Sequence, residues 1–483
     1  MSAATTTDTA GDKGCLMVAS IFTPIQGGSA TVYANLCRFA PPGKMVALAT
    51  RRHYQDGIEI PGWKEHDARC GFPIHRLDLL RPEMAPPPAN KLVSAWRYLT
   101  IDIPLRLKIV ATVRRLIREH GIGVICIGEL VSTAWLGEFC RRFFGTRMVL
   151  YVHGEEITQR MGAGSFGRRR GEHLRGADAV VAVSRFTRQA LIEQMGVRPE
   201  RICLIENGVD TRRFSPGPDD AGLRARLGLA GKRLVVAVGR LVPRKGFDKT
   251  IAGWAQVQRA HPDAHLLIIG DGPQRAELQA MADASPAAAS ITLAGALDDA
   301  DLLAAYRSAS LFVMPNRTMP DGDTEGFGLV FLEANACGRA VVGGRAGGAV
   351  EAVKDGESGL QVNGEDVDEI AGALHIVRSV TLVDGKHVTG PPKGGKRRDI
   401  PLVPFVVDQF GPRGLGDEPV FPAPNGGLIR HNNWRRRVFD PAIKAAKLAP
   451  LHPHELRHTA ASLAISSGAN VKAVQRMLGH ASA

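Results

Sequence analysis

RLVVAVGRLVPRKGFDKTIAGWAQVQRAHPDAHLLIIGDGP, residues 233–273, sets two apolar runs on either side of a helical stretch. RLVVAVG (233–239) and HLLIIG (265–270) are short Val/Ile/Leu runs, and residues 246–260 between them repeat their apolar positions with helical spacing. Strand, helix and strand in that order read as one turn of a parallel sheet.

The alternation extends in both directions. Upstream lie LMVAS (16–20), MVALAT (45–50), VICIG (124–128), MVLYV (148–152) and AVVAVS (179–184); downstream lie ITLAG (291–295), LFVMP (311–315) and AVVGG (340–344). Helical patterns at 273–284 and 300–309 separate the later runs. Runs that are apolar throughout suit strands covered on both faces. The fold class is therefore α/β: two doubly wound, Rossmann-like domains over 15–215 and 216–376, joined at the Pro/Asp/Gly-rich SPGPDDAG (215–222), after a polar start (1–14) expected to be disordered. Ligands of such sheets sit at the carboxyl ends of the strands.

After about residue 376 the pattern changes. SVTLV, GPPKGGKRRDIPL and PVFPAPNGG read as strands and turns, followed by helices near 431–449, 454–468 and 470–479, a small mixed α+β segment over 377–483. Charge divides at the same place: of a net +13, residues 377–483 hold 16 Lys+Arg against 7 Asp+Glu. All five tyrosines (33, 54, 98, 151, 306) and all seven cysteines come earlier. A basic tail of this kind suits a polyanion.

Composition excludes other classes. At 483 residues, 44% hydrophobic and 23% charged, the chain is globular and long enough for two or three domains. No apolar run approaches the ~18 residues of a membrane span. The start, MSAATTTDTAGDKG, lacks the basic-then-apolar order of a signal peptide, so the expected location is the cytosol, at most peripheral at the inner face of a membrane. Seven cysteines without a Cys-x-x-Cys pair suit a reducing compartment and no structural zinc.

Gly27 and Gly28 follow the first strand and open the first helix, where free N–H groups and the helix dipole favour phosphate; a tight turn is the plainer use of such a pair. Arg240 and Lys245, just past the strand ending at Gly239, bring two cations to a sheet's carboxyl edge. In TEGFGLVFLEANACG, Glu325 stands just before a helix, Gly326 and Gly328 fall in its first turn, and Glu333 comes eight residues after Glu325. Carboxylates there repel phosphate but suit sugar hydroxyls; a helix cap and a solvated side chain are the alternatives. Asp321 and Asp323 read as a solvated turn rather than a metal site. The basic, amphipathic LRLKIVATVRRLIREHG (105–121) suits a helix packed on its own sheet with solvated arginines, or else an anionic membrane surface.

Read together and in order, the Gly-Gly loop, YVHGEE, IENGVD, VGRLVPRKG, IIGDGP and Glu-x7-Glu make residues 15–376 resemble the family 4 retaining glycosyltransferases of the GT-B fold. The resemblance implies a nucleotide-diphosphate sugar in the interdomain cleft as substrate, with no cofactor and no metal. By it Arg240 and Lys245 would hold the diphosphate, Gly326, Phe327 and Gly328 would line the donor, Glu333 would bind the ribose, Glu325 the transferred sugar, and His153 would sit beside that sugar. MPNRTMPDGDTEGFG is most similar to mannosyltransferases using GDP-mannose. The acceptor stays undefined, a lipid or a small molecule.

Residues 377–483 resemble the C-terminal catalytic domain of tyrosine recombinases, the phage-integrase family, through GPPKGGKRRDIPL, HELRHTAASLAISSGANVKAVQ and LGHAS. By that resemblance Lys393 would be the β-turn lysine, His454 and Arg457 the His-x-x-Arg pair, and His480 the later histidine. The family's first arginine and its tyrosine nucleophile have no counterpart, so strand exchange is not expected and weak DNA binding is what the tail would retain. With no linker at 374–380, the join reads as a fused or rearranged gene or an assembly error, and the donor domain is expected to lack its last helices. The alternatives to a glycosyltransferase are a DNA-integration protein that binds DNA through this tail, and an inactive chimera.

Overall fold

The computed structural model describes residues 13–83, 91–158, 170–374, 379–383, 386–390, 435 and 439–445. The chain divides into two compact units, Met1–Pro391 and Pro392–Ala483. The described part of the first unit holds two parallel sheets.

The first sheet has seven strands: β1 (Gly14–Val18), β2 (Met45–Thr50), β3 (Ile74–Leu77), β4 (Ile122–Ile127), β5 (Arg147–Val152), β6 (Ala179–Ala182) and β7 (Ile202–Leu204). Their order is β3-β2-β1-β4-β5-β6-β7, with Met17 of β1 opposite Ala47 on one side and Cys126 on the other. The second has six: β8 (Arg233–Val238), β9 (Ala264–Ile269), β10 (Ile291–Gly295), β11 (Ala309–Met314), β12 (Val341–Gly344) and β13 (Gly359–Val362), in the order β10-β9-β8-β11-β12-β13. Strand order reverses between β1 and β4 in one sheet and between β8 and β11 in the other. Crevices therefore open past the ends of β1 and β8.

Central strands are buried because helices cover both faces. All six residues of β9 are buried, and the helix Phe247–Ala260 lays Phe247, Ile251, Trp254 and Val257 on the sheet. Trp254 keeps its indole N–H satisfied by donating to Ser290 Oγ at 2.9 Å. At Gly253 an added Cβ would stand 3.2 Å from Val367, so the helix Val367–Leu374 approaches closely there. The helix Ile103–His120 buries Ile109, Val113 and Leu116 and exposes Arg114, Arg115 and Arg118, in keeping with packing on its own sheet.

An antiparallel hairpin, β14 (Ser379–Val383) with β15 (Lys386–Gly390), begins the tail as its strand-and-turn reading expects. Beyond it only Arg435 and Phe439–Ala445, which includes the helix Asp440–Ala445, are described. All seven cysteines are free. No described helix is long and apolar enough to cross a membrane, and no cluster of metal-ligand type occurs among the described residues.

Candidate functional site

The loop leaving β1 is held in place before it reaches the glycines. Glu129, just past β4, accepts from Ser20 Oγ at 2.7 Å and from the Ile21 N–H at 2.8 Å. Gly27, in extended backbone, then caps the helix Gly28–Phe39 with no side chain on its free N–H groups. Both glycines are exposed, and nothing lies within 4 Å of a Cβ at Gly27. A Cβ at Gly28 would be 3.9 Å from Leu329 Cδ1, on the other lobe. Leu329 opens the helix Leu329–Ala336, capped by Gly328 at φ +90°, again without a side-chain cap. Two bare helix starts thus face each other across the cleft. The glycines of TEGFG precede this helix instead of forming its first turn, because Gly328 takes a left-handed conformation that the helix does not allow.

Past β8 the two predicted cations part company. Arg240 is exposed, and its side chain makes no hydrogen bond or ion pair with the described residues. Lys245 is buried at 9% exposure, with Nζ 2.5 Å from Glu325 Oε2. The tight turn depends on Gly246 at φ +72°, where a Cβ would stand 2.1 Å from the Pro315 carbonyl oxygen. Burial pushes the Glu325 carboxyl up, but the Lys245 and Arg244 charges and the Phe327 N–H outweigh it and hold the group below its usual range.

Sequence reasoning passed over Arg244. It pairs with Asp323 at 3.0 Å and with Glu155, on the first lobe, at 2.8 Å. Asp323 is 9% exposed, so the turn 321–323 is not solvated as expected: Arg244 draws that carboxylate inward, while exposed Asp321 accepts the Asp323 N–H. The signal for Arg244 was its place beside Lys245 in PRKG; its pairing with Glu155, the first glutamate of HGEE, is marked by nothing local in the sequence.

His153 closes the arrangement from the first lobe. Its Nε2 lies 2.8 Å from Tyr33 Oη, and the Tyr33 hydroxyl also contacts the Gly128 carbonyl oxygen. A carbonyl only accepts, so Tyr33 spends its proton on Gly128 and accepts from His153 Nε2–H. Nδ1 is then the acceptor nitrogen. Withdrawal from water pushes the imidazole down to about 4, against the pull of Glu325, so the ring is neutral at pH 7. Tyr151 stands 5.3 Å away, centroid to centroid, and Tyr33 5.2 Å. The chain turns sharply at Gly154 (φ +121°), and a Cβ on Gly326 would fall 1.5 Å from the His153 carbonyl oxygen. The two lobes touch here.

Glu333 lies apart from that cluster. Its Oε2 accepts from Tyr306 Oη at 2.7 Å, and burial raises its carboxyl despite the Tyr306 bond and the Arg213 charge. Phe327 is buried at 6% exposure beside the glycines. Structure therefore brings Lys245, Glu325, Gly326 and His153 together, sets Gly27, Gly28 and Gly328 opposite one another, and leaves Arg240 at the rim. Lys393, His454, Arg457 and His480 lie outside the described residues.

Further ties cross the cleft. Glu351 of the second lobe accepts the Arg185 and Phe186 N–H groups at 2.8 and 2.9 Å, at the start of the helix Arg185–Glu193 of the first. Gln26 donates to the Leu297 carbonyl at 2.8 Å, and Arg213 pairs with Asp299 at 2.9 Å.

The sequence matches the family described as Glycosyltransferase Family 4 over residues 74–213, Glycosyl transferases group 1 over 221–377, and the Phage integrase family over 375–483. It is 36% identical over 371 residues to the GDP-mannose-dependent alpha-(1-6)-phosphatidylinositol monomannoside mannosyltransferase of Mycolicibacterium smegmatis, covering 74% of this chain and 87% of that one. A GDP-mannose-dependent monoacylated alpha-(1-6)-phosphatidylinositol monomannoside mannosyltransferase of Corynebacterium glutamicum is 34% identical over 265 residues, 54% of this chain and 68% of the relative. Among solved structures, Anabaena HepE in complex with UDP and glucose superposes with a TM-score of 0.57 at 22% identity, over 75% of this chain and 89% of that one. Sucrose-phosphate synthase from Thermosynechococcus elongatus gives 0.56 at 23%, over 75% and 88%. The paired parallel sheets are those of the GT-B fold, and the chain belongs to the family 4 glycosyltransferases, with a phage-integrase segment at its carboxyl end.

Proposed function

We propose that the chain transfers mannose from GDP-mannose, with retention, to a lipid-borne acceptor of the phosphatidylinositol mannoside kind. The observation that carries this reading is the largely enclosed Lys245–Glu325 pair lying beside His153 at a cleft where two uncapped helix starts meet. Breaking the bond between anomeric carbon and phosphate puts negative charge on the phosphate and positive character on the sugar. Lys245, Arg240 and the N–H groups following Gly27 and Gly328 answer the first. Glu325 takes up sugar hydroxyls, and neutral His153 accepts from another through Nδ1. Glu333 holds the ribose. The acceptor attacks on the face the phosphate leaves, and no protein nucleophile is needed.

The donor and acceptor rest on the named activities of the relatives. A lipid acceptor is further supported by the first lobe's surface, where Leu92, Trp96, Leu99 and Leu107 are each more than 60% exposed and Arg114, Arg115 and Arg118 lie exposed on the adjoining helix. Such a surface suits a peripheral place on an anionic membrane.

The test is radiolabelled GDP-mannose with phosphatidylinositol mannoside in detergent, scored as label in the lipid phase. Lys245→Ala is expected to lower turnover about 100- to 1,000-fold, as loss of one charge-stabilising group does. Label transferred from UDP-glucose and not from GDP-mannose, or unchanged turnover in Lys245→Ala, refutes the assignment.

A further inference from the structure

The second glutamate of HGEE has no assigned part in the site. Glu155 reaches across the cleft to Arg244, but Glu156 turns back into its own lobe. Its Oε1 accepts the His153 N–H at 2.6 Å and its Oε2 the Gly154 N–H at 2.8 Å, so both carboxyl oxygens clamp two successive peptides of one turn. Those two peptides carry the interlobe contact. The His153 carbonyl oxygen fills the space where any Cβ on Gly326 would go, and a Cβ on Gly154 would meet Gly326 Cα at 3.0 Å. The same turn aims the His153 ring at Tyr33 and within electrostatic reach of Glu325. Glu156 is half-buried, and withdrawing its carboxylate from water costs free energy that the two N–H bonds partly offset. Burial indeed pushes the Glu156 carboxyl up to about 7, the His153 and Gly154 N–H bonds only partly offsetting it.

We infer that Glu156 is a positioning residue for sugar transfer: by holding the 153–154 peptides it fixes both the seat of Gly326 and the direction of the His153 ring at the reacting end of the donor. The inference rests on the glycosyltransferase reading of this cleft. Gln in place of Glu156 keeps one acceptor oxygen and opposes the other N–H with a donor, so it loosens the turn without emptying the space.

The experiment compares wild type, Glu156→Gln, His153→Ala and the double variant. Glu156→Gln is expected to lower kcat for mannose transfer about 10- to 100-fold, the cost of a misplaced group, while KM for GDP-mannose and the Kd for GDP stay within about threefold. On the His153→Ala background the same change is expected to cost clearly less than in wild type, because the part of its effect that runs through the His153 ring is already gone while the seat of Gly326 remains. A kcat within about threefold of wild type, a loss confined to KM, or equal losses with and without His153 overturns the inference. Hydrogen exchange at the His153 and Gly154 amides needs no turnover: faster exchange in Glu156→Gln is expected, and unchanged protection refutes the clamp. A wild type that transfers no mannose while these amides behave as expected overturns the donor assignment and leaves the clamp standing.

Discussion

His153 and Glu156 sit three residues apart with their protonation pulled in opposite directions by the same cause, loss of water. Glu156 moves from 4.5 to about 7, so between those values the folded chain binds more protons than the unfolded one and this group's contribution to stability falls as pH rises. His153 moves from 6.5 to about 4, so in the window from 4 to 6.5 the folded chain binds fewer protons and its contribution grows with pH. The charges facing Glu156 are Glu155, which pushes the same way, and Arg170, whose guanidinium bonds the Glu156 carbonyl oxygen; buried Tyr33 also feels its charge. The difference in unfolding midpoint, wild type minus Glu156→Gln, is therefore expected to fall between pH 4.5 and 7. For His153→Asn the same difference should rise between pH 4 and 6.5. Scanning calorimetry across pH checks both, and a flat difference for either variant removes the burial argument for that residue.

At the scale of elements, the contact at Gly326 is a collision waiting for any side chain. The atoms an added Cβ would strike are the His153 carbonyl and Gly154, which belong to the opposite lobe and not to Gly326's own. Gly326→Ala should fold with an unchanged melting profile and bind GDP, yet lose transfer by about 100-fold, since a displacement of about 1 Å at a reacting centre has that effect. Retained transfer would mean that the lobes need not meet here. The central strands were legible because burial on both faces demands unbroken apolar runs: MVALAT is β2 to the residue, and 246–260 differs from Phe247–Ala260 by one position. β3, β7 and β13 escaped because each is a sheet edge of three or four residues whose apolar run is broken or too short: His75 and Gln361 are half-exposed, and Arg76 turns inward to pair with Asp67 at 2.7 Å. Site glycines and HGEE could be read because a backbone that must come close, or turn the wrong way, admits few residues. Tyr33 with His153, and Arg244 with Glu155, could not: each pair joins residues far apart in the chain, and nothing local in the sequence marks the meeting.

Across the whole first unit, the lobes are tied by groups that each lobe presents to the other. Ser184 caps the helix Arg185–Glu193 from its own lobe by accepting the Thr187 N–H, and Glu351 adds acceptors for the Arg185 and Phe186 N–H groups from the other lobe, so the share it contributes exists only while the lobes are together. Glu351→Ala is expected to raise the radius of gyration in small-angle scattering and lower kcat with little loss of melting temperature. An unchanged radius and rate would show the tie to be dispensable.

β13 completes the second sheet by pairing with β12, and the helix Val367–Leu374 is already seated against Phe247–Ala260 before the integrase match begins at residue 375. All six strands of the second sheet thus lie ahead of the residues matched to the integrase family. A cut of the chain after residue 374 would therefore sever no strand pairing of β8 to β13.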